Sequence, residues 1–208
     1  MLDFSKKFIE KGEKIIFFGD SLTFSNPGYV SILQERLPDN EIINSGVGGD
    51  KTTTALMRFK QDVLDQSPDI LSIFFGGNDS VIGRHCWADE PMLPPEAFKT
   101  NLIWMTHIAR LNGIKKISIT IPFEALEGPE LFWQGNILGQ YCIAAREAAS
   151  IMQTHYVPLD AAFTEEWRKH PGHTGLLLTK EGCHPTMDGY KLIADTFMKA
   201  WNLETEKN

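Results

Sequence analysis

The sequence predicts an α/β fold, in which one parallel sheet is covered by helices on both faces. Short apolar runs of strand length recur along the chain, and amphipathic stretches with helical spacing lie between them. Strands that alternate with helices favour a parallel sheet whose two faces are both buried. Five such runs favour a three-layer α/β/α domain with a flavodoxin-like strand order.

Each predicted strand is an apolar run too short to be a typical helix. The fourth run ends at Pro122, which cannot continue a ladder of hydrogen bonds. In chain order, the predicted strands are Lys14–Phe18, Glu41–Asn44, Ile70–Phe75, Ile117–Ile121 and Tyr156–Leu159.

Three apolar stripes with helical spacing are interpreted as the core-facing sides of helices. We expect the helix that carries Phe98 to end at Asn112–Gly113, a pair suited to the left-handed conformation. A further helix is expected just after Pro27. The stripes are Phe98, Leu102, Met105 and Ala109; Ile137, Tyr141, Ala144, Ala148 and Ile151; and Tyr190, Ile193, Phe197 and Trp201.

Length and charge restrict the class of protein. The 208 residues suit a single domain over 1–208, and the net charge of −7 without a basic cluster disfavours nucleic-acid binding. Residues 1–10 lack the apolar core of a signal peptide, and no apolar run could span a bilayer. Cys86, Cys142 and Cys183 are too few for a disulfide framework. We therefore expect a soluble cytoplasmic protein without integral membrane association.

Ser21 lies in Gly19–Leu22, directly after the first predicted strand. Ligands of open α/β sheets bind at the carboxyl edge of the strands, and this turn belongs to that edge. The turn leaves two interpretations open, because a serine there can cap a helix or act as a nucleophile.

Three further polar stretches are expected at the same edge: Asn44–Asp50, Gly76–Asp79 and Glu181–Pro185. Together they contain the residue types that acyl transfer needs. A serine requires a base, usually histidine, and the base requires a carboxylate that orients it. The oxyanion requires hydrogen-bond donors, which a glycine N–H or an asparagine amide can supply.

The order of these motifs resembles the SGNH, or GDSL, family of serine esterases and lipases. Gly19–Leu22 is similar to the first conserved block of the family, Gly49 to the glycine of the second, and Gly76–Asp79 to the third. His184 matches the histidine of the last block. The resemblance extends from residue 14 to near the end of the chain.

The resemblance implies an ester hydrolase with Ser21 as nucleophile and His184 as base. It implies an oxyanion hole formed by the Ser21 N–H, the Gly49 N–H and the Asn78 side chain. The family usually has aspartate three residues before the histidine, where this chain has Glu181. We expect Glu181 to orient His184.

A water molecule or another carboxylate, Asp160 first among them, is the alternative partner for the histidine. His170, His173, Cys183 and His184 could form a zinc site, but their spacing matches no standard pattern. Cys183 is also a less favoured nucleophile.

Gly46–Gly49 lacks the remainder of a phosphate-binding motif. We therefore predict neither a cofactor nor a metal. A non-catalytic ligand-binding domain on the same fold is the alternative from another functional class.

Two long segments at this edge, Ser80–Pro95 and Phe123–Gln140, are expected to be binding walls or packed surface loops. If Trp87, Phe132 and Trp133 line the acyl pocket, they favour short acyl chains. A small-molecule ester or an acetylated sugar is then the expected substrate, with a lysophospholipase or thioesterase as the alternative within the family.

Overall fold

A five-stranded parallel sheet forms the centre of the computed structural model, which describes residues 6–81, 91–124, 127 and 137–203. The strands are β1 (Lys14–Gly19), β2 (Glu41–Gly46), β3 (Ile70–Phe74), β4 (Lys116–Ile121) and β5 (His155–Pro158). The five strands pair in parallel, and their order across the sheet is β2-β1-β3-β4-β5. This order confirms the predicted flavodoxin-like α/β fold.

Helices follow the strands and cover both faces of the sheet. Within the described residues they are α1 (Ser21–Phe24), α2 (Tyr29–Arg36), α3 (Thr52–Asp62), α4 (Pro95–Leu111), α5 (Ile137–Met152), α6 (Leu159–Arg168) and α7 (Met187–Ala200), with a 3₁₀ turn at Leu64–Gln66. No helix in the described part of the chain is long and apolar enough to cross a membrane.

Two hydrophobic cores lie on the two faces of the sheet, because successive strand residues point to opposite sides. In β1, Ile16 and Phe18 belong to the core beneath α3, α4 and α5. Ile15 and Phe17 belong to the other core, which α2, α6 and α7 cover. A strand buried on both faces accounts for the unbroken apolar run in the sequence.

The structure corrects two details of the sequence interpretation. Ile151 is 61% exposed, because at 100° per residue it lies on the flank of α5 and not in its buried stripe. The helix expected after Pro27 exists as α2, but a separate short helix, α1, precedes it and begins at Ser21. Trp87, Phe132 and Trp133 lie outside the described residues.

Candidate active site

The turn after β1 exposes the hydroxyl of Ser21 at the carboxyl edge of the sheet. A Cβ atom on Gly19 would lie 2.1 Å from Thr23 Oγ1 and 2.7 Å from the Phe74 carbonyl oxygen, so only glycine lets α1 fold back here. The Asp20 carboxylate caps α1 by accepting the Leu22 N–H at 2.9 Å. The cap is therefore Asp20, and the interpretation of Ser21 as a helix cap is wrong.

Ser21, His184 and Glu181 form a continuous chain of hydrogen-bonding atoms. Ser21 Oγ lies 3.1 Å from His184 Nε2, and His184 Nδ1 is hydrogen-bonded to Glu181 Oε1. The same glutamate oxygen accepts the backbone N–H of His184 at 2.9 Å. Asp160, the alternative partner, is instead engaged by Arg146, whose Nη2 lies 2.6 Å from Asp160 Oδ1.

The longer glutamate stem reaches the imidazole because the chain turns tightly between the two residues. Gly182 has a φ of 100°, in the left-handed region that favours glycine, and its N–H donates to Thr179 Oγ1 at 2.9 Å. The Lys180 N–H donates to the carbonyl of His184 at 2.8 Å and closes the loop. The turn thus brings the carboxylate back over the ring three residues later.

The turn that carries Gly49 contacts the side chain of Asn78. Gly49 has a φ of 78°, within a turn that the Asp50 N–H closes on the Val47 carbonyl at 3.3 Å. The buried Asn78 donates from Nδ2 to the Asp50 carbonyl at 2.9 Å. One hydrogen bond therefore joins the Asn78 amide to the turn that carries Gly49.

Arg58 on α3 ties this turn to the ends of two strands, a role that the sequence analysis missed. Its Nη2 donates to the Gly19 carbonyl at 2.9 Å and its Nη1 to the Ser45 carbonyl at 3.0 Å. Its Nε donates to Asp50 Oδ2 at 2.7 Å. In the sequence, an arginine on an amphipathic helix looks like any solvated charge, so nothing indicated these contacts.

Two buried carboxyl groups beside the site have raised pKa values. Burial raises the pKa of Asp20 to about 7, and the nearby charges of Asp79 and Asp50 add to the shift. Burial also raises the pKa of Asp79 to about 6, although hydrogen bonds from Thr52 oppose the shift. These bonds run to Asp79 Oδ1 from the Thr52 N–H at 3.0 Å and from its hydroxyl at 2.5 Å.

The four residues considered above as an alternative zinc site, His170, His173, Cys183 and His184, do not assemble as a set. Within the described residues, the group with metal-ligating atoms close together is Glu181, Cys183 and His184, with all three atoms within 4.8 Å of one another. Two ligands of one tetrahedral zinc ion lie ~3.3 Å apart, given bonds of ~2 Å. Glu181 Oε1 and His184 Nδ1 are closer than that, at hydrogen-bond distance.

A serine, a histidine and a carboxylate linked in this order are the constellation that serine hydrolases use, on unrelated folds. Here it lies at the carboxyl edge of a parallel α/β sheet. Residues 17–192 match the GDSL-like lipase/acylhydrolase family, and the chain belongs to this family. It is accordingly a carboxylic ester hydrolase.

Individual relatives agree with this assignment. An acetylxylan esterase of Geobacillus stearothermophilus is 26% identical over 94% of this chain and 97% of its own. The crystal structure of that esterase, Axe2, has a TM-score of 0.80 at 25% identity, with the same coverage of both chains. An uncharacterized lipoprotein of Bacillus subtilis, YqeF, is 38% identical, but the match spans 52% of this chain and 48% of that protein.

Because the carboxyl group of Asp20 is buried, we predict that its ionisation lowers the free energy of unfolding in a pH-dependent way. Because its pKa is raised from 3.8 to about 7, the folded protein holds this proton more tightly than the unfolded chain, and stability is lost as the pH rises through this interval. Asp20→Asn keeps an oxygen for the Leu22 N–H and cannot ionise. The free energy of unfolding of Asp20→Asn minus that of the wild type should therefore increase by roughly 2–4 kcal/mol between pH 4 and 7.

Denaturant unfolding at several pH values measures this difference. Asp39→Asn is the matched control, because Asp39 is exposed and pairs with Lys11 on the surface. A difference between Asp20→Asn and the wild type that stays constant with pH would contradict the burial argument.

Proposed function

We propose that the protein is a serine esterase that works through an acyl-enzyme. Ser21 is the nucleophile, His184 the general base and Glu181 the orienting acid. The observation that carries this proposal is the unbroken contact from Ser21 Oγ through the His184 ring to Glu181. Catalytic mutants of the acetylxylan esterase replace a serine or an aspartate by alanine, which are residue types of the same constellation.

In the first half-reaction, Ser21 Oγ attacks the ester carbonyl carbon while His184 Nε2 takes the hydroxyl proton. The imidazolium that forms is stabilised by the Glu181 carboxylate at Nδ1. His184 then returns the proton to the leaving alcohol, and an acyl-Ser21 ester remains. In the second half-reaction, water loses a proton to His184 as it attacks this ester. His184 then returns that proton to Ser21 Oγ as the acyl–oxygen bond breaks, which releases the carboxylic acid and restores Ser21 and His184.

The oxyanion of each tetrahedral intermediate is assigned to the Ser21 N–H, the Gly49 N–H and the Asn78 amide. Donors held in place before the reaction stabilise this charge without reorganising. The bond from Asn78 Nδ2 to the Asp50 carbonyl supports the assignment, because it fixes the amide beside Gly49. The Arg58 contact to the Asp50 carboxylate holds the same turn from its other side.

For the substrate, we propose an acetyl or other short-chain ester of a soluble small molecule, with an acetylated sugar first. The support is the near full-length likeness to the acetylxylan esterase. The short acyl pocket formed by Trp87, Phe132 and Trp133 stays a prediction, as does the cytoplasmic location. The single domain over 1–208 is likewise proposed.

Ser21→Ala should remove nearly all ester hydrolysis and leave the fold unchanged. Loss of the nucleophile in a serine hydrolase lowers kcat on the order of a million-fold. Hydrolysis of p-nitrophenyl acetate by the purified variant, with circular dichroism as the folding check, measures the effect. Wild-type turnover in the variant would refute Ser21 as the nucleophile, whereas hydrolysis by both proteins at the rate of the buffer alone would support a non-catalytic domain on this fold.

Asn78→Ala should lower kcat roughly a hundredfold to a thousandfold and change KM little. The reason is that an oxyanion donor acts mainly in the transition state. Steady-state kinetics on the same ester separates the two constants. An increase in KM with unchanged kcat would assign Asn78 to substrate binding.

Glu181→Gln should lower kcat/KM on the order of ten-thousand-fold, because an amide can donate to the imidazole and favour the wrong tautomer. Glu181→Asp keeps the charge on a stem shorter by one methylene, so its activity should lie between that of Glu181→Gln and that of the wild type. Retention of more than about a tenth of wild-type kcat/KM by Glu181→Gln would remove Glu181 from the triad.

The substrate proposal predicts higher kcat/KM on acetyl and butyryl esters than on decanoyl esters. The measurement is a series of p-nitrophenyl esters kept below their micelle-forming concentrations, followed by acetate release from acetylated xylo-oligosaccharides. A preference for the long chains would support the lysophospholipase or thioesterase alternative.

A further inference from the structure

A second carboxylate, Glu127, binds the segment that leads into the loop of Glu181 and His184. Glu127 is 4% exposed and lies between β4 and α5 in the sequence. Its Oε1 accepts the backbone N–H groups of Leu178 at 2.9 Å and Thr179 at 2.5 Å. Its Oε2 accepts the N–H of Leu177. Three consecutive backbone donors thus converge on one buried carboxylate from a distant part of the chain.

The bound segment runs directly into the catalytic loop. Thr179 pairs with Pro185 in an antiparallel bridge, and the Thr186 N–H donates to the Leu178 carbonyl at 2.8 Å. The Thr179 side chain also accepts the Gly182 N–H at 2.9 Å. The loop with Glu181 and His184 is therefore anchored on the 177–179 segment, which Glu127 holds in place.

We propose that Glu127 is a positioning residue for His184. Hydrogen bonds to an ionised acceptor are stronger than neutral ones, so the carboxylate fixes the 177–179 backbone more firmly than water would. The register of this backbone sets where the His184 ring lies, and a misplacement of about 1 Å can cost roughly a hundredfold in rate. The proposal rests on the proposed function in one respect: His184 must act as the base.

Glu127→Gln is the direct test. The amide oxygen can still accept N–H groups, but the amide nitrogen faces a backbone donor and cannot accept its hydrogen. We expect kcat for p-nitrophenyl acetate to fall roughly tenfold to a hundredfold, with KM within about twofold, because the base acts in the chemical step. Glu127→Asp keeps the carboxylate and should recover part of the loss.

Glu13→Gln is the matched control. Glu13 is also a shielded glutamate that accepts a backbone N–H, from Glu10 at 2.7 Å, and it pairs with Lys116 at the amino edge of the sheet, away from the site. The Glu13→Gln substitution should leave kcat unchanged. An equal loss of kcat in both variants would mean a general effect on stability and would overturn the proposal.

A second pair of variants keeps the test valid if Glu127→Gln does not fold. Thr179→Val removes the hydroxyl that accepts the Gly182 N–H, whereas Thr179→Ser retains it. Thr179→Val should lower kcat in the same way and Thr179→Ser should not. Equal, near wild-type kcat in both variants would contradict the claim that this segment positions the base.

The Nδ1–H proton of His184 gives a readout that does not depend on turnover. In proton NMR, a histidine N–H bonded to a carboxylate gives a separate downfield signal, which we expect in wild type and in Ser21→Ala. Glu127→Gln in the Ser21→Ala background should shift or broaden it, and Glu13→Gln should not. If the wild type hydrolyses no ester, the proposed function fails, and this signal still decides whether Glu127 positions His184. An unchanged signal in Glu127→Gln would overturn the positioning role.

Discussion

The hydrogen bonds of the Arg58 guanidinium are the interactions on which the Ser21 turn and the Gly49 turn depend. It binds the carbonyl at the end of β1, a carbonyl near the end of β2 and the carboxylate of Asp50, at 2.9, 3.0 and 2.7 Å. Its plane also lies over the Phe18 ring, 4.3 Å from the centroid. Because its donors point in fixed directions, it sets the distance between the Ser21 turn and the Gly49 turn.

Carboxylates that bind backbone N–H groups hold further segments of the site in place. Asp20 fixes the start of α1, and Glu127 fixes the segment before the histidine loop. Asp79 does the same for the start of α3. Ionised carboxyl groups are costly to bury, and burial accordingly raises the pKa of Asp20 and of Asp79. The site thus gains a fixed geometry at the expense of stability.

Much of the fold could be predicted because hydrophobic periodicity is a local property. The apolar run of β1 and the stripe of α4 are each visible without their neighbours. Ile151 shows the limit of this reasoning, because its position on the flank of α5 depends on which side faces the sheet. Motif order also indicated Ser21, Gly49 and Asn78, since each follows a strand that ends at the same edge, and His184, which precedes the last helix.

By itself, the sequence determined the α/β class, the family resemblance and the residues expected at the carboxyl edge of the sheet. The tertiary structure decided which carboxylate contacts His184, because the reach of Glu181 depends on the turn at Gly182, while Arg146 engages Asp160. It alone revealed the contacts of Arg58 to the backbone carbonyls of Gly19 and Ser45, and those of Glu127 to three backbone N–H groups. Every residue has such groups, so contacts to them leave no signal in the side-chain sequence and arise only when distant segments pack together.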